Sequence, residues 1–177
     1  MYYYNTKHAL LSAFDKGDAF FSTMQWNYET EFQRKAHRAV LSRDEKLAQD
    51  EILLAYLRKE LTRYDYQLLM FCYSLDNQSI NESWNSTVKP VVLMSSHLAE
   101  RLGRNLKQWA VERYTRTGLR GNMQPAHLIL DVTRKTVLVS LSKRVDEVLT
   151  IDIDLAFERV EWLLNDKEWL QTHSNIR

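Results

Sequence analysis

The strongest pattern in the chain is an apolar repeat between residues 47 and 75. Leu47, Leu54, Leu61, Leu68 and Leu75 recur every seven residues, and Leu57, Tyr64 and Phe71 follow the middle three by three. Residues three, four and seven apart share one face of a helix, so this spacing predicts helix over 43–75 with one buried stripe. Between 43 and 61 the predicted helix is amphipathic. From Tyr66 to Leu75 the segment is apolar on nearly every side (Leu68, Leu69, Met70, Phe71, Cys72, Tyr73), the mark of a helix buried all round. Unbroken, such a helix would run about 50 Å, against a radius of gyration of about 16 Å for a compact chain of this length. A break is therefore predicted near Thr62, whose hydroxyl can cap a second segment. Asp50 interrupts the register a coiled coil needs, so the stripe is read as core packing.

Upstream, Asn5 or Thr6 is placed to cap a first helix carrying Leu10, Leu11, Phe14, Phe20, Phe21 and Met24, with Gly17 a candidate break. A second helix is expected over 28–41, and Ser42 with Glu45 forms a capping-box pattern ahead of the heptads. Downstream, 76–90 reads as a polar loop in which Ile80 and Trp84, four apart, form one buried turn. Pro90 then opens a helix over 91–117 with Leu98, Leu102, Leu106 and Trp109 on one face, ended by Gly118.

After Pro125 the apolar period changes from 3.6 to 2. Leu128, Leu130 and Val132 alternate with their neighbours, as do Val137, Val139 and Leu141, and then Leu149, Ile151 and Ile153. Three strands joined by short polar turns make an antiparallel meander with one apolar face, which must lie on the helices. Asp154 would cap a closing helix bearing Leu155, Phe157, Val160, Leu163 and Leu164. The expected fold class is α+β: a mainly helical body over 1–122, then a three-stranded meander and C-terminal helix over 123–177, packed together as one unit.

Composition narrows the class rather than the function. The 177 residues are 45% apolar and 27% charged, as in ordinary soluble domains, and four Gly with two Pro favour long helices over many turns. A single cysteine excludes an internal disulfide framework and fits a reducing compartment, so a cytoplasmic location is expected. No basic leader with an apolar run follows Met1, and no run approaches the ~18 apolar residues that would cross a bilayer, so no membrane partner is expected.

Charge changes the picture more. The net +1 is uneven: 89–122 holds seven Lys/Arg against two Asp/Glu, while the segments on either side are each net −2. Within that block Arg101, Arg104, Lys107, Arg113, Arg116 and Arg120 form a candidate nucleic-acid-binding face, able to neutralise several phosphates with a steep salt dependence. The competing reading is a solvated face balanced by acidic neighbours such as Asp44, Glu45, Asp50 and Glu51.

Catalytic and metal chemistry finds no foothold. Cys72 lies in the most apolar stretch, where a thiol stays protonated and inert. Ser95-Ser96-His97 places its nucleophile and base about 100° apart on a helix, and His8, His37, His97, His127 and His173 show no ligand spacing. Asp152 and Asp154 read as a strand end and a helix cap rather than an acid–base pair. The turn from Thr115 to Asn122 lacks the spacing of a phosphate loop. No catalytic residue, metal or cofactor is expected, and the balance leans away from an enzyme. Two functions stay open. One is a small intracellular regulatory protein that binds nucleic acid through the basic face at 101–120. The other is a protein–protein interaction module (an adaptor, inhibitor or oligomer subunit) using Tyr2-Tyr3-Tyr4, the heptad stripe or an open sheet edge.

Overall fold

The computed structural model describes residues 3–14, 43–95, 99–115, 133, 135 and 143–170. The helices within them are α1 (Thr6–Ala13), α2 (Arg43–Glu60), α3 (Arg63–Tyr73), α4 (Asn77–Ser83), α5 (Lys89–Ser95), α6 (Ala99–Tyr114) and α7 (Lys143–Asp166), with a π-helical turn over Trp84–Val88 between α4 and α5.

The predicted break lies where the heptads needed it. Thr62 has extended backbone, and its Oγ1 accepts from the Asp65 amide at 3.1 Å, capping α3. The same hydroxyl donates to Asp65 Oδ2 at 2.8 Å, and Arg159 of α7 donates to that oxygen as well. Asp65 is nearly inaccessible, so its charge is held by the Thr62 hydroxyl and the Arg159 guanidinium rather than by water. α3 is thereby pinned to α7 at its first turn.

α3 is the central element, as its all-round apolarity foretold. Leu68, Phe71 and Cys72 face one core with Ile80, Trp84, Val88, Val92, Leu106, Trp109, Val145 and Leu149. Tyr66 and Leu69 face a second core with Leu10, Leu53, Leu57, Ala156, Val160 and Leu164. α7 spans both: its N-terminal half closes the first core and its C-terminal half the second. The heptad stripe holds only in part. Leu57, Leu61, Leu68 and Phe71 are buried, whereas Leu47 is 46% exposed and Leu53 takes the core position that the repeat gave to Leu54.

Of the segment 76–90 expected as a loop, all but the capping Asp76 is helical. Asp76 accepts from the amides of Gln78 and Ser79 and from the Ser79 hydroxyl, and this cap starts α4 in a sequence rich in Asn and Ser. Ile80 and Trp84 are buried together as their spacing predicts. Pro90 does not begin a new helix after a loop; it follows the π turn directly. Proline has no N–H and its ring crowds the preceding turn, and the wider turn before it, where the Lys89 amide reaches back to the Trp84 carbonyl, absorbs the mismatch.

The α+β expectation is overturned. Helix accounts for 86% of the described residues, and they contain no strand and no sheet. The third predicted strand, Leu149 to Ile153, lies inside α7, and Asp154 is a mid-helix residue rather than a cap. Val145, Leu149, Ala156, Val160 and Leu163 are buried along α7 at steps of four, seven, four and three, a helical period that two-residue alternation concealed. Val148, Thr150, Ile151 and Ile153 supplied a β-like composition, and burial at helical spacing overrides that propensity. The other two predicted strands, the 28–41 helix and Gly118 lie outside the described residues.

The N-terminus is tied down from two sides. The Tyr3 amide donates to the Trp169 carbonyl at 2.8 Å, and Tyr3 forms an isolated parallel bridge with Leu170. Asp50 then accepts from the Tyr3 hydroxyl at 2.9 Å and from Ser12 Oγ at 2.7 Å. The residue that broke the coiled-coil register is thus the anchor for the start of the chain. Asn5, one of the two expected caps, starts α1 by accepting from the His8 amide at 2.8 Å.

Candidate interaction surface

The six basic residues do not stand together as one described face. Arg101 and Arg104 fall within α6, whereas Arg116 and Arg120 lie outside the described residues. Lys107, half-buried on α6, donates to the Asn81 side chain of α4. Arg113 is the best defined, and it is occupied. Its Nε and Nη2 donate to the two carboxylate oxygens of Asp146 at 2.6 Å each, a bidentate pair that joins α6 to the first turn of α7.

Tyr114 donates its hydroxyl to the same carboxylate, and the Arg113 guanidinium sits 6.0 Å from the Tyr114 ring centre. Hydrogen bonding to Asp146 holds the Arg113 pKa above its ordinary value. Burial, and then the bond to Asp146, pushes the Tyr114 hydroxyl upward. The carboxylate that balances this cation comes from α7, not from the acidic residues of α2. Asp50, one of those expected to balance it, is engaged with the N-terminus instead.

Reactive chemistry is equally committed elsewhere. The Cys72 thiol is buried, and burial pushes its pKa up to about 12. Burial, with the Lys46 charge second, pushes His8 down to about 4, which keeps it neutral. Asp152 accepts from the Tyr64 hydroxyl while Asp154 is exposed, so these two carboxylates do not act as a pair. Among the described residues no cluster of His, Cys, Asp and Glu can hold a metal ion, and no helix is long and apolar enough to cross a membrane. A half-open groove of about 460 Å³ runs between α1, α2, α3 and α4, with Leu54, Arg58, Arg63, Tyr66 and Met70 on its walls. Arg58 Nε donates to the Tyr66 hydroxyl there at 3.2 Å.

What α7 leaves outside is more distinctive. Beside the face that seals both cores, about 125° round the helix, α7 carries Val148 (40% exposed), Ile151 (58%), Leu155 (45%) and Trp162 (68%). Their steps of three, four and seven put all four on one line along the helix. No family model, curated protein or solved structure matches this chain. The surface must therefore be read from its own chemistry.

A tryptophan and three aliphatic side chains in a row differ from the scattered exposed apolar residues of ordinary surfaces. Contiguous patches of this kind mark docking sites, and tryptophan is prominent among the anchors that carry binding energy. Reading the segment as strand hid the line, because it set Val148 opposite Ile151 and ended the element before Leu155. The signal was present in the heptad spacing of Val148, Leu155 and Trp162. Of the aromatic N-terminus, Tyr3 is buried and Tyr4 is 45% exposed.

Proposed function

We propose that the chain is a non-enzymatic protein–protein interaction module whose docking surface is the outer face of α7. The observation that carries this reading is the line Val148, Ile151, Leu155 and Trp162, left exposed on a helix whose other face is fully used. Such a helix is rigid before it binds, so little ordering cost opposes association. The nucleic-acid reading draws less support, because the Arg113 charge is paired with Asp146, although Lys107 keeps its charge while donating to the neutral Asn81 amide.

The test compares three chains in native mass measurements, alone and in extract of the source cell: the unaltered chain, Ile151→Glu/Leu155→Glu, and Arg101→Gln/Arg104→Gln. Complexes of any composition should persist in the arginine variant and disappear from the glutamate variant. Complexes that survive the two glutamates place the docking surface elsewhere. Retention of duplex or single-stranded nucleic acid at low salt, lost on changing Arg101, Arg104, Arg113 and Arg116 to Gln, would favour the other reading.

A further inference from the structure

The outer face of α7 is symmetric about Leu155. Val148 lies seven residues before it and Trp162 seven after, while Arg144 and Asp166 lie eleven before and eleven after. At 100° per residue all five fall within about 20° of one line on the helix surface. The charges are distributed with the same sense. Arg144 stands on this line at the exposed N-terminal end, and Asp166, which also pairs with Lys167 at 3.5 Å, stands on it at the exposed C-terminal end.

We infer that the occupant of this face is a second copy of the chain, with the two α7 helices antiparallel and crossing at Leu155. The inference rests on the docking reading above and names its partner.

An antiparallel pair with its two-fold axis at Leu155 sets the small Val148 of each copy beside the large Trp162 of the other. Arg144 meets Asp166 at both ends. Val148, Leu155 and Trp162 thus gain apolar neighbours, Ile151 comes level with Arg159 of the other copy, and Arg144 gains an opposite charge in Asp166. The helix dipoles oppose as well, which favours antiparallel over parallel contact. A parallel pair would stack Arg144 on Arg144, Trp162 on Trp162 and Asp166 on Asp166, so like charges would meet at both ends. An isologous contact of this kind closes on itself and stops at two copies.

The patch also sets the strength. It spans about 21 Å of helix from Val148 to Trp162, and patches of this sort cover on the order of 300–600 Å². That is below the roughly 800 Å² per partner of a standard stable interface, so a dissociation constant on the order of 10–100 µM is expected.

Sedimentation equilibrium of the full chain from 5 to 500 µM should show monomer passing to dimer and nothing larger. Leu155→Glu, which sets two carboxylates against each other on the axis, should shift the midpoint at least thirtyfold with an unchanged far-ultraviolet spectrum. Register is read by oxidation. Leu155→Cys chains should cross-link to themselves, and mixtures of Val148→Cys with Trp162→Cys chains should cross-link to each other. Val148→Cys alone should not, because its partner position lies about 21 Å away. Cys72 is buried and does not compete.

A chain that stays monomeric throughout overturns the inference. So do dimers indifferent to Leu155→Glu, and Val148→Cys chains that cross-link to themselves. If the chain is monomeric yet a mixed complex is lost with Ile151→Glu/Leu155→Glu, the self-pairing falls and the docking surface stands. If neither kind of complex depends on those residues, both fall.

Discussion

Replacing Asp146 with Ala removes more than one contact, and the size of the loss follows from its neighbours. Asp146 accepts two hydrogen bonds from Arg113 at 2.6 Å and a third from the Tyr114 hydroxyl, with 17% of its side chain exposed against 42% for Arg113. A charge-assisted bond to a sheltered carboxylate contributes about 1.5–3 kcal/mol, and an exposed ion pair about 0.2–1 kcal/mol. This pair is buried at one end and open at the other, so screening lowers it toward the middle of those ranges. Asp146→Ala should therefore cost about 2 kcal/mol, including the Tyr114 hydroxyl left without its acceptor. Arg113→Gln should cost about 1 kcal/mol, because the remaining carboxylate keeps Tyr114 and gains water. Urea unfolding of the unaltered chain, both single variants and the double variant, followed by circular dichroism, closes the cycle. A coupling of about 1 kcal/mol is expected, falling at high salt. Additive losses, with coupling below about 0.3 kcal/mol, would show that the short distances carry no net energy and that Arg113 is available to a ligand after all.

His8 gives the chain an acid-labile component. Its pKa falls from 6.5 to about 4 on folding, mainly through burial and then through Lys46, so the unfolded chain takes up a proton first. The contribution is therefore complete above about pH 6.5 and declines as pH falls toward 4, by up to about 3 kcal/mol. His8→Gln should remove that part of the slope, and parallel profiles for the two chains between pH 7 and 4 would refute it. Cys72, with its thiol raised to about 12, should resist maleimide in the native state and react at the rate of global unfolding; fast labelling without urea would contradict its placement. Glu168 holds a left-handed backbone at φ 54° in the turn after α7. Because a side chain there is disfavoured by about 1 kcal/mol, Glu168→Gly should raise the urea midpoint, and a lowered midpoint would show that the side chain itself holds the turn.

Legibility in the sequence followed the kind of residue that set each boundary. The break at Thr62 was readable because two independent constraints agreed there: a heptad run too long for the molecule and a residue whose hydroxyl caps. The burial of Trp109, Cys72, Ile80 and Trp84 followed from spacing in the same way. The 76–90 segment failed because a cap and a loop use the same amino acids. Asp76 and Ser79 speak for a turn until their side chains are seen to accept from, and donate to, their own first helical turn. No local pattern marks a π turn; only the proline beyond it hints that the ladder must widen.

α7 shows why the final element, and with it the candidate surface, was the hardest to read. A helix that packs on one side is easiest to read when the rest of it is polar, and α7 carries a second apolar line flanking its buried face. Leu149 faces the core while Val148 and Ile151 face out, so apolar residues sit side by side and imitate strand alternation. That imitation is itself informative. A helix of an isolated monomer has no need of the second stripe, and exposing a tryptophan with three aliphatic side chains favours association in water. On the reading proposed above, the misleading β-like pattern and the docking surface have one physical origin: α7 carries a second apolar line beside the one that closes its cores.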